Sequence, residues 1–121
     1  MLVADDHSVI RRELARMVGS EPDIEIVGEA PMGEQVIVLA RQLLPDVILL
    51  DVSMPGIGIG GVEATRRIHV ECPGVRVIGL SMYDEAEQAR AMREAGAVAY
   101  LDKTHPPDVL LAAIRRSLDP Q

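Results

Sequence analysis

Pro45-Asp46-Val47-Ile48-Leu49-Leu50-Asp51 places a proline stop, four consecutive apolar residues and a carboxylate in one line. Four apolar residues without alternation suit a short strand covered on both faces, as in the middle of a parallel sheet. Before it, residues 33–44 repeat apolar residues at helical spacing, with Val36, Ile37, Ala40, Leu43 and Leu44 on the inward face, and Pro45 ends that helix. After it, Val52-Ser53-Met54-Pro55-Gly56 leads away from Asp51 toward a further helix at 61–70.

The same alternation continues in both directions. Upstream, residues 2–4 form a short apolar strand, and 8–19 a helix with Ile10, Leu14, Met17 and Val18 on one face. Ser8 is placed as its cap and Gly19 as its stop. Residues 24–27 read as the second strand, with Glu25 alternating among apolar positions. Downstream, a Pro73-Gly74 turn opens a strand at 75–80. Asp84-Glu85-Ala86-Glu87 is a capping box for a helix that closes at Gly96. Residues 98–101 form the fifth strand. Pro106 suits the first turn of a final helix lined by Val109, Leu110, Ala113, Ile114 and Leu118. Five strand–helix units with right-handed crossovers make an α/β fold, a parallel sheet with helices on both faces. The sequence by itself leaves the strand order open.

Composition narrows the function. The chain has 121 residues, enough for one domain with one core, and 48% of them are hydrophobic. There is no Phe or Trp, so Val, Ile, Leu, Met and Ala must fill that core. A formal net charge of −7 repels nucleic-acid phosphates, which argues against direct DNA binding. The single cysteine, Cys72, makes neither an internal disulfide nor a metal site, in keeping with a reduced cytoplasm. No apolar stretch approaches the roughly 20 residues that span a bilayer, and no signal peptide is visible.

The strand ends carry the chemistry. Residues 2–4 run into Asp5-Asp6, 47–50 into Asp51, and 75–80 into Ser81, while 98–101 is followed by Asp102-Lys103. In an open parallel sheet all of these ends share one edge, where ligands bind. Carboxylates that close repel one another, and a hard cation such as Mg²⁺ relieves the repulsion while also binding phosphate oxygens. One carboxylate can then attack phosphorus, giving an acyl phosphate. Lys103 can add positive charge and Ser81 can donate a hydrogen bond to a phosphoryl oxygen. Asp51 is the nucleophile, because it ends the most buried strand, and the loop after it can offer the Ser53 carbonyl to the metal.

Asp5-Asp6, Asp51 with Met54-Pro55, Ser81, Tyr100 and Lys103, in that order and spacing, resemble the receiver domain of two-component response regulators. Ala4-Asp5-Asp6-His7, Leu49-Leu50-Asp51, Glu63-Ala64-Thr65-Arg66-Arg67-Ile68 and Ala95-Gly96-Ala97 resemble its NarL/FixJ-type branch. The resemblance covers residues 2 to about 118. It implies the flavodoxin-like strand order 2-1-3-4-5 and phosphorelay signalling. It implies that Asp51 accepts phosphate from a sensor histidine kinase. Asp6, Asp51 and the Ser53 carbonyl then bind Mg²⁺ directly, and Asp5 acts mainly through water. Lys103 pairs with the phosphoryl group, Ser81 moves toward it, and Tyr100 changes rotamer in response. It further implies a homodimer on phosphorylation, through the last helix or the helix at 84–95, and DNA contact only through a separate output domain. On this reading 1–118 is the receiver, 119–121 starts a linker, and the output domain is missing.

Two departures from the family pattern stand out. The loop Met54-Pro55-Gly56-Ile57-Gly58-Ile59-Gly60-Gly61 is two residues longer than usual and lacks the customary Asp. Its four glycines favour flexibility and altered water access to the phosphoryl group. The chain also has almost nothing before its first strand.

Taken singly, each residue has a plainer reading. Asp5-Asp6 could be a polar loop, Asp51 a cap, Ser81 a strand-end hydroxyl, Lys103 a surface lysine, and Tyr100 or Tyr83 a core or surface ring. Arg11-Arg12, Arg66-Arg67 and Arg115-Arg116 read as solvated helix faces, and His7 as a first-turn residue. Only the common register favours the site. The run 56–61 matches GxGxxG, but five residues, Asp51 to Pro55, come between the apolar run and the first glycine, and the next strand leads to Ser81, unlike a dinucleotide site. Two alternatives remain. One is a receiver that acts by protein contact without phosphorylation. The other is a haloacid-dehalogenase-type phosphatase, which needs a second Asp where Ser53 stands.

Overall fold

The structure, a computed structural model, describes residues 1–5, 8–31, 33–52, 60–81, 86–102 and 106–118. Its strands are β1 (Leu2–Ala4), β2 (Gly28–Ala30), β3 (Val47–Asp51), β4 (Arg76–Ser81) and β5 (Ala99–Asp102). Its helices are α1 (Ser8–Gly19), α2 (Gly33–Leu43), α3 (Gly61–Glu71), α4 (Ala86–Ala95) and α5 (Pro107–Leu118). Every residue of β3 is buried, as the unalternating run at 47–50 requires. It pairs in parallel with β1 on one side and β4 on the other, and the sheet order is β2-β1-β3-β4-β5. The order reverses between β1 and β3. That is the switch point at which open α/β sheets leave a crevice beyond the strand carboxyl ends.

The two-residue period of the strands divides the core into two layers. Leu2, Ala4, Ile48, Leu50 and Val77 meet Val36, Ile37 and Ala40 of α2, Ala64 and Ile68 of α3, and Met92 of α4. Val3, Val47, Leu49, Ile78 and Leu80 meet Val18 of α1 and Leu110 and Ile114 of α5. Leu49 and Leu50 are both inaccessible to water, one on each side of the sheet. Truncating either to Ala costs about 2–5 kcal/mol.

Three expectations need correction. The second strand is not at 24–27 but at Gly28–Ala30. Ile24 and Ile26 pack instead against the layer under α1 and α5, and the Val27 amide donates to the Met1 carbonyl. The ladder starts where Leu2 meets Gly28, and a Cβ there would stand 3.0 Å from Leu2 Cδ1. An edge strand needs little apolar content of its own, so the apolar run misplaced it. Leu43 and Leu44 do not point inward, being 43% and 66% exposed. Leu44 takes a left-handed φ of 45°, which ends α2 before Pro45 and turns this corner to solvent. Val109 and Leu118, near the two ends of α5, are also partly exposed, at 37% and 39%.

The end of α4 follows expectation. Gly96 has φ 115°, its amide donates to the Arg93 carbonyl, and the Ala97 amide donates to the Met92 carbonyl. This is the paired bonding of a Schellman cap, which favours glycine at that position.

Candidate functional site at the carboxyl ends of the strands

Asp5 follows directly on β1, and Asp51 is the last residue of β3. The β1–β3 register matches Ala4 with Leu50, so Asp5 and Asp51 are the next pair along. Both continue the alternation of Val3 and Leu49, which puts them on the same face of adjacent strands about 4.8 Å apart. Asp5 is fully buried and Asp51 is 1% exposed. The Asp5 amide donates to the Ala30 carbonyl at 3.0 Å, and the Val52 amide donates to the Leu80 carbonyl at 2.9 Å. These bonds carry the sheet's hydrogen bonding one step past both strands, so the two carboxylates stand on rigid backbone.

Two buried like charges on neighbouring strands are unfavourable unless something offsets them. Their chemistry suits a hard divalent cation, which takes carboxylate oxygens and keeps part of its water shell. Among the described residues no group of three or more His, Cys, Asp or Glu gathers. The third expected acid, Asp6, lies outside them.

Ser81 ends β4, buried, and its register partner is Asp102 at the end of β5. Tyr100 pairs with Gly79, two residues earlier on the same side of β4 as Ser81. Ser81 and Tyr100 are therefore diagonal neighbours on the face covered by α3 and α4. The ring packs against the core layer there, and its Oη is buried with no hydrogen-bond partner among the described residues. The structure thus brings Asp5, Asp51, Ser81 and Tyr100 to one edge. Ser53, Lys103, His7 and Tyr83 lie outside the described residues, as do Asp84 and Glu85 of the capping box and the loop 54–59. Lys103 is covalently next to Asp102, and Ser53 next to Val52.

Two residues the sequence did not single out also serve this edge. Gly61, taken with its loop as a source of flexibility, is the buried first residue of α3. A Cβ on it would stand 2.8 Å from Val52 Cα and 3.1 Å from the Asp51 carbonyl oxygen, so α3 starts directly against the backbone at the end of β3. Thr65, one turn on, donates from its hydroxyl to the Gly61 carbonyl at 2.8 Å. Gly60, the helix N-cap, has open space around it. The second residue is Arg11, read as part of a solvated face. Its side chain is 14% exposed, donates from Nη1 to the Asp5 carbonyl at 2.8 Å and reaches Glu29 from Nε at 3.1 Å. Its position six residues after Asp5, near the start of a helix that folds back over the sheet, was the available signal.

Comparison with known proteins follows the same lines. Residues 1–115 match the family described as response regulator receiver domain. The chain is 38% identical over 116 residues to response regulator GacA of Pseudomonas aeruginosa, covering 96% of this chain and 53% of that protein. It is 39% identical over 115 residues to the transcriptional regulatory protein LiaR of Bacillus subtilis, covering 95% and 54%. The chain thus spans about half the length of these curated relatives. Among solved structures, the signal receiver domain of NarL from Mycobacterium tuberculosis superposes with a TM-score of 0.89 at 28% identity, covering 98% of this chain and 95% of that one.

Proposed function

This chain belongs to the response regulator receiver domain family, in its NarL/FixJ-type branch, and from that premise we propose that Asp51 is its phosphoacceptor. The observation that carries the assignment is the pairing of two buried carboxylates, Asp5 and Asp51, in register at the switch point of the sheet. An Asp51 carboxylate oxygen attacks the phosphorus of a phosphohistidine on a sensor kinase. The P–N bond breaks, the imidazole leaves with the electron pair, and Asp51 becomes an acyl phosphate.

Asp5, Asp6, Asp51 and the Ser53 carbonyl are the residues that would hold Mg²⁺, which supplies positive charge against the phosphoryl oxygens. Lys103 adds a second positive charge. Ser81, at the end of the neighbouring strand, moves to donate to a phosphoryl oxygen, and Tyr100 on the same face repacks in response. The domain catalyses only its own phosphorylation and dephosphorylation. Phosphorylation promotes a homodimer through α5 or α4, and DNA is reached only through an output domain like the one that completes longer regulators. No described helix is long and apolar enough to cross a membrane, and we place the protein in the cytoplasm beside the kinase's catalytic domain.

Incubation with acetyl phosphate and Mg²⁺, read by intact mass, tests the assignment. Wild type gains one phosphoryl mass and Asp51→Asn gains none. No gain on wild type, or an equal gain on Asp51→Asn, overturns it. Sedimentation with and without beryllofluoride tests the dimer, and a monomer in both states contradicts it.

A further inference from the structure

Arg11 sits near the start of α1, and its guanidinium bridges two strands. Nη1 donates to the carbonyl of Asp5 and Nε to the carboxylate of Glu29 on β2. The Asp5 carbonyl belongs to the peptide that joins Asp5 to Asp6. On its other side Asp5 is tied by its amide to Ala30 of the same strand, β2. The acidic pair therefore leaves β1 with both backbone groups of its first member fixed, one by the sheet and one by Arg11. Arginine suits this task, because its planar fork makes two directed bonds at once while a lysine ammonium is a single point. The Arg11 side chain is only 14% exposed and its bond to Asp5 is partly buried, where a hydrogen bond from a charged donor is worth more than at the surface.

We propose that Arg11 is a positioning residue for the divalent cation, holding the Asp5 carbonyl so that the backbone carrying Asp5 to the ion is fixed. The proposal rests on the reading of Asp5, Asp6 and Asp51 as the metal-holding acids. Charge and positioning predict opposite signs here, which makes the proposal testable. A guanidinium close to the site repels a cation, so its loss through charge alone strengthens metal binding. Loss of a partner that orients a ligand weakens metal binding, typically by about tenfold or more.

The experiment measures Mn²⁺ binding by electron paramagnetic resonance, with Mg²⁺ as competitor, on wild type, Arg11→Met, Arg11→Lys, Glu29→Gln and Asp51→Asn. Arg11→Met keeps the apolar stem and removes both charge and donors. It is expected to bind roughly tenfold more weakly, against its electrostatics. Arg11→Lys is expected between Arg11→Met and wild type, because it regains a donor together with the repelling charge. Glu29→Gln keeps the bond to Asp5 and is expected to stay close to wild type. Binding by Arg11→Met that is equal to or tighter than wild type overturns the proposal. If circular dichroism shows Arg11→Met unfolded, Arg11→Lys decides, and equality with wild type overturns the proposal. Asp51→Asn is the separate control. Undiminished binding there refutes the metal-site reading itself, whatever Arg11 does.

Discussion

Gly79 of β4 and Tyr100 of β5 are register partners, and a Cβ on Gly79 would stand 3.1 Å from Tyr100 Cδ2 and 2.8 Å from Met92 Cε. The missing side chain is the space that the ring and the methionine occupy. Met92 can yield, since its methyl ends a flexible chain, but the ring is held on the core layer beneath α3 and α4. Gly79→Ala is therefore expected to push Tyr100 outward. The cost is about 1 kcal/mol, an overpacking penalty partly offset by the lower entropy of the unfolded alanine chain. Urea unfolding in two backgrounds checks it: the cost should fall by more than half when Tyr100 is Ala, and an equal cost in both shows that the ring is not what the Cβ meets.

Tyr100 carries its own penalty. Its Oη is buried without a hydrogen-bond partner among the described residues. A buried unsatisfied hydroxyl costs about 1–3 kcal/mol, so Tyr100→Phe is expected to stabilise the unphosphorylated domain by roughly 1 kcal/mol. The same penalty is relieved when the ring turns out to water, which on the proposed reading would bias Tyr100 toward movement when Ser81 shifts. A higher urea midpoint at unchanged m-value supports this, and a lower midpoint contradicts it.

Gly61 cannot be treated in the same way as Gly79, because backbone is what a Cβ there would meet. Helix propensity favours Ala over Gly by about 1 kcal/mol. The clash with Val52 Cα has no flexible chain to absorb it, and α3 would have to lift from the end of β3. Gly61→Ala is expected to destabilise by about 2 kcal/mol net and to slow phosphorylation by acetyl phosphate. Gly60→Ser is the contrast. Gly60 has open space and the extended backbone of an N-cap, φ −85° and ψ −176°, so serine should be neutral or slightly stabilising. Parallel urea curves and phosphorylation time courses for the two variants check the pair.

The difference between these two glycines was hidden in the sequence, where both belong to one glycine-rich run. Sequence showed the elements that periodicity controls: the fully buried β3, the inward faces of α2 and α5 around Ala40 and Ile114, and the stop at Gly96. The carboxylates were legible because covalent position at a strand end fixes where they emerge. Gly28–Ala30 was not, because an edge strand is chosen by its partner's register rather than by its own apolar content. Arg11 was missed for a related reason. Its role depends on a carbonyl and on a neighbouring strand, and neither leaves a mark in side-chain pattern. Strand order came from family resemblance, and the observed β2-β1-β3-β4-β5 sheet agrees with it.

Arg115 supplies a pH-dependent tie between α5 and the segment that leads into β2. Its guanidinium donates to both carboxylate oxygens of Asp23 at 3.0 Å and to Glu21 at 2.7 Å. Those hydrogen bonds hold the Asp23 carboxyl below its ordinary value and raise the Arg115 guanidinium, which stays charged throughout. For a depressed carboxyl, the stabilisation is complete above the unfolded pKa, near 3.9, and is lost as pH falls through the lower folded value. The ties are solvent-exposed and screened, so their effect at neutral pH is small and shrinks further with salt. Arg115→Gln is expected to lower the urea midpoint slightly at pH 7, and by progressively less as pH falls through the range in which Asp23 takes up its proton. Carboxyl NMR titration should show the Asp23 midpoint rising toward the ordinary aspartate value in the variant. An Asp23 midpoint that does not move when Arg115 is removed would show that the ion pair is not what holds it down.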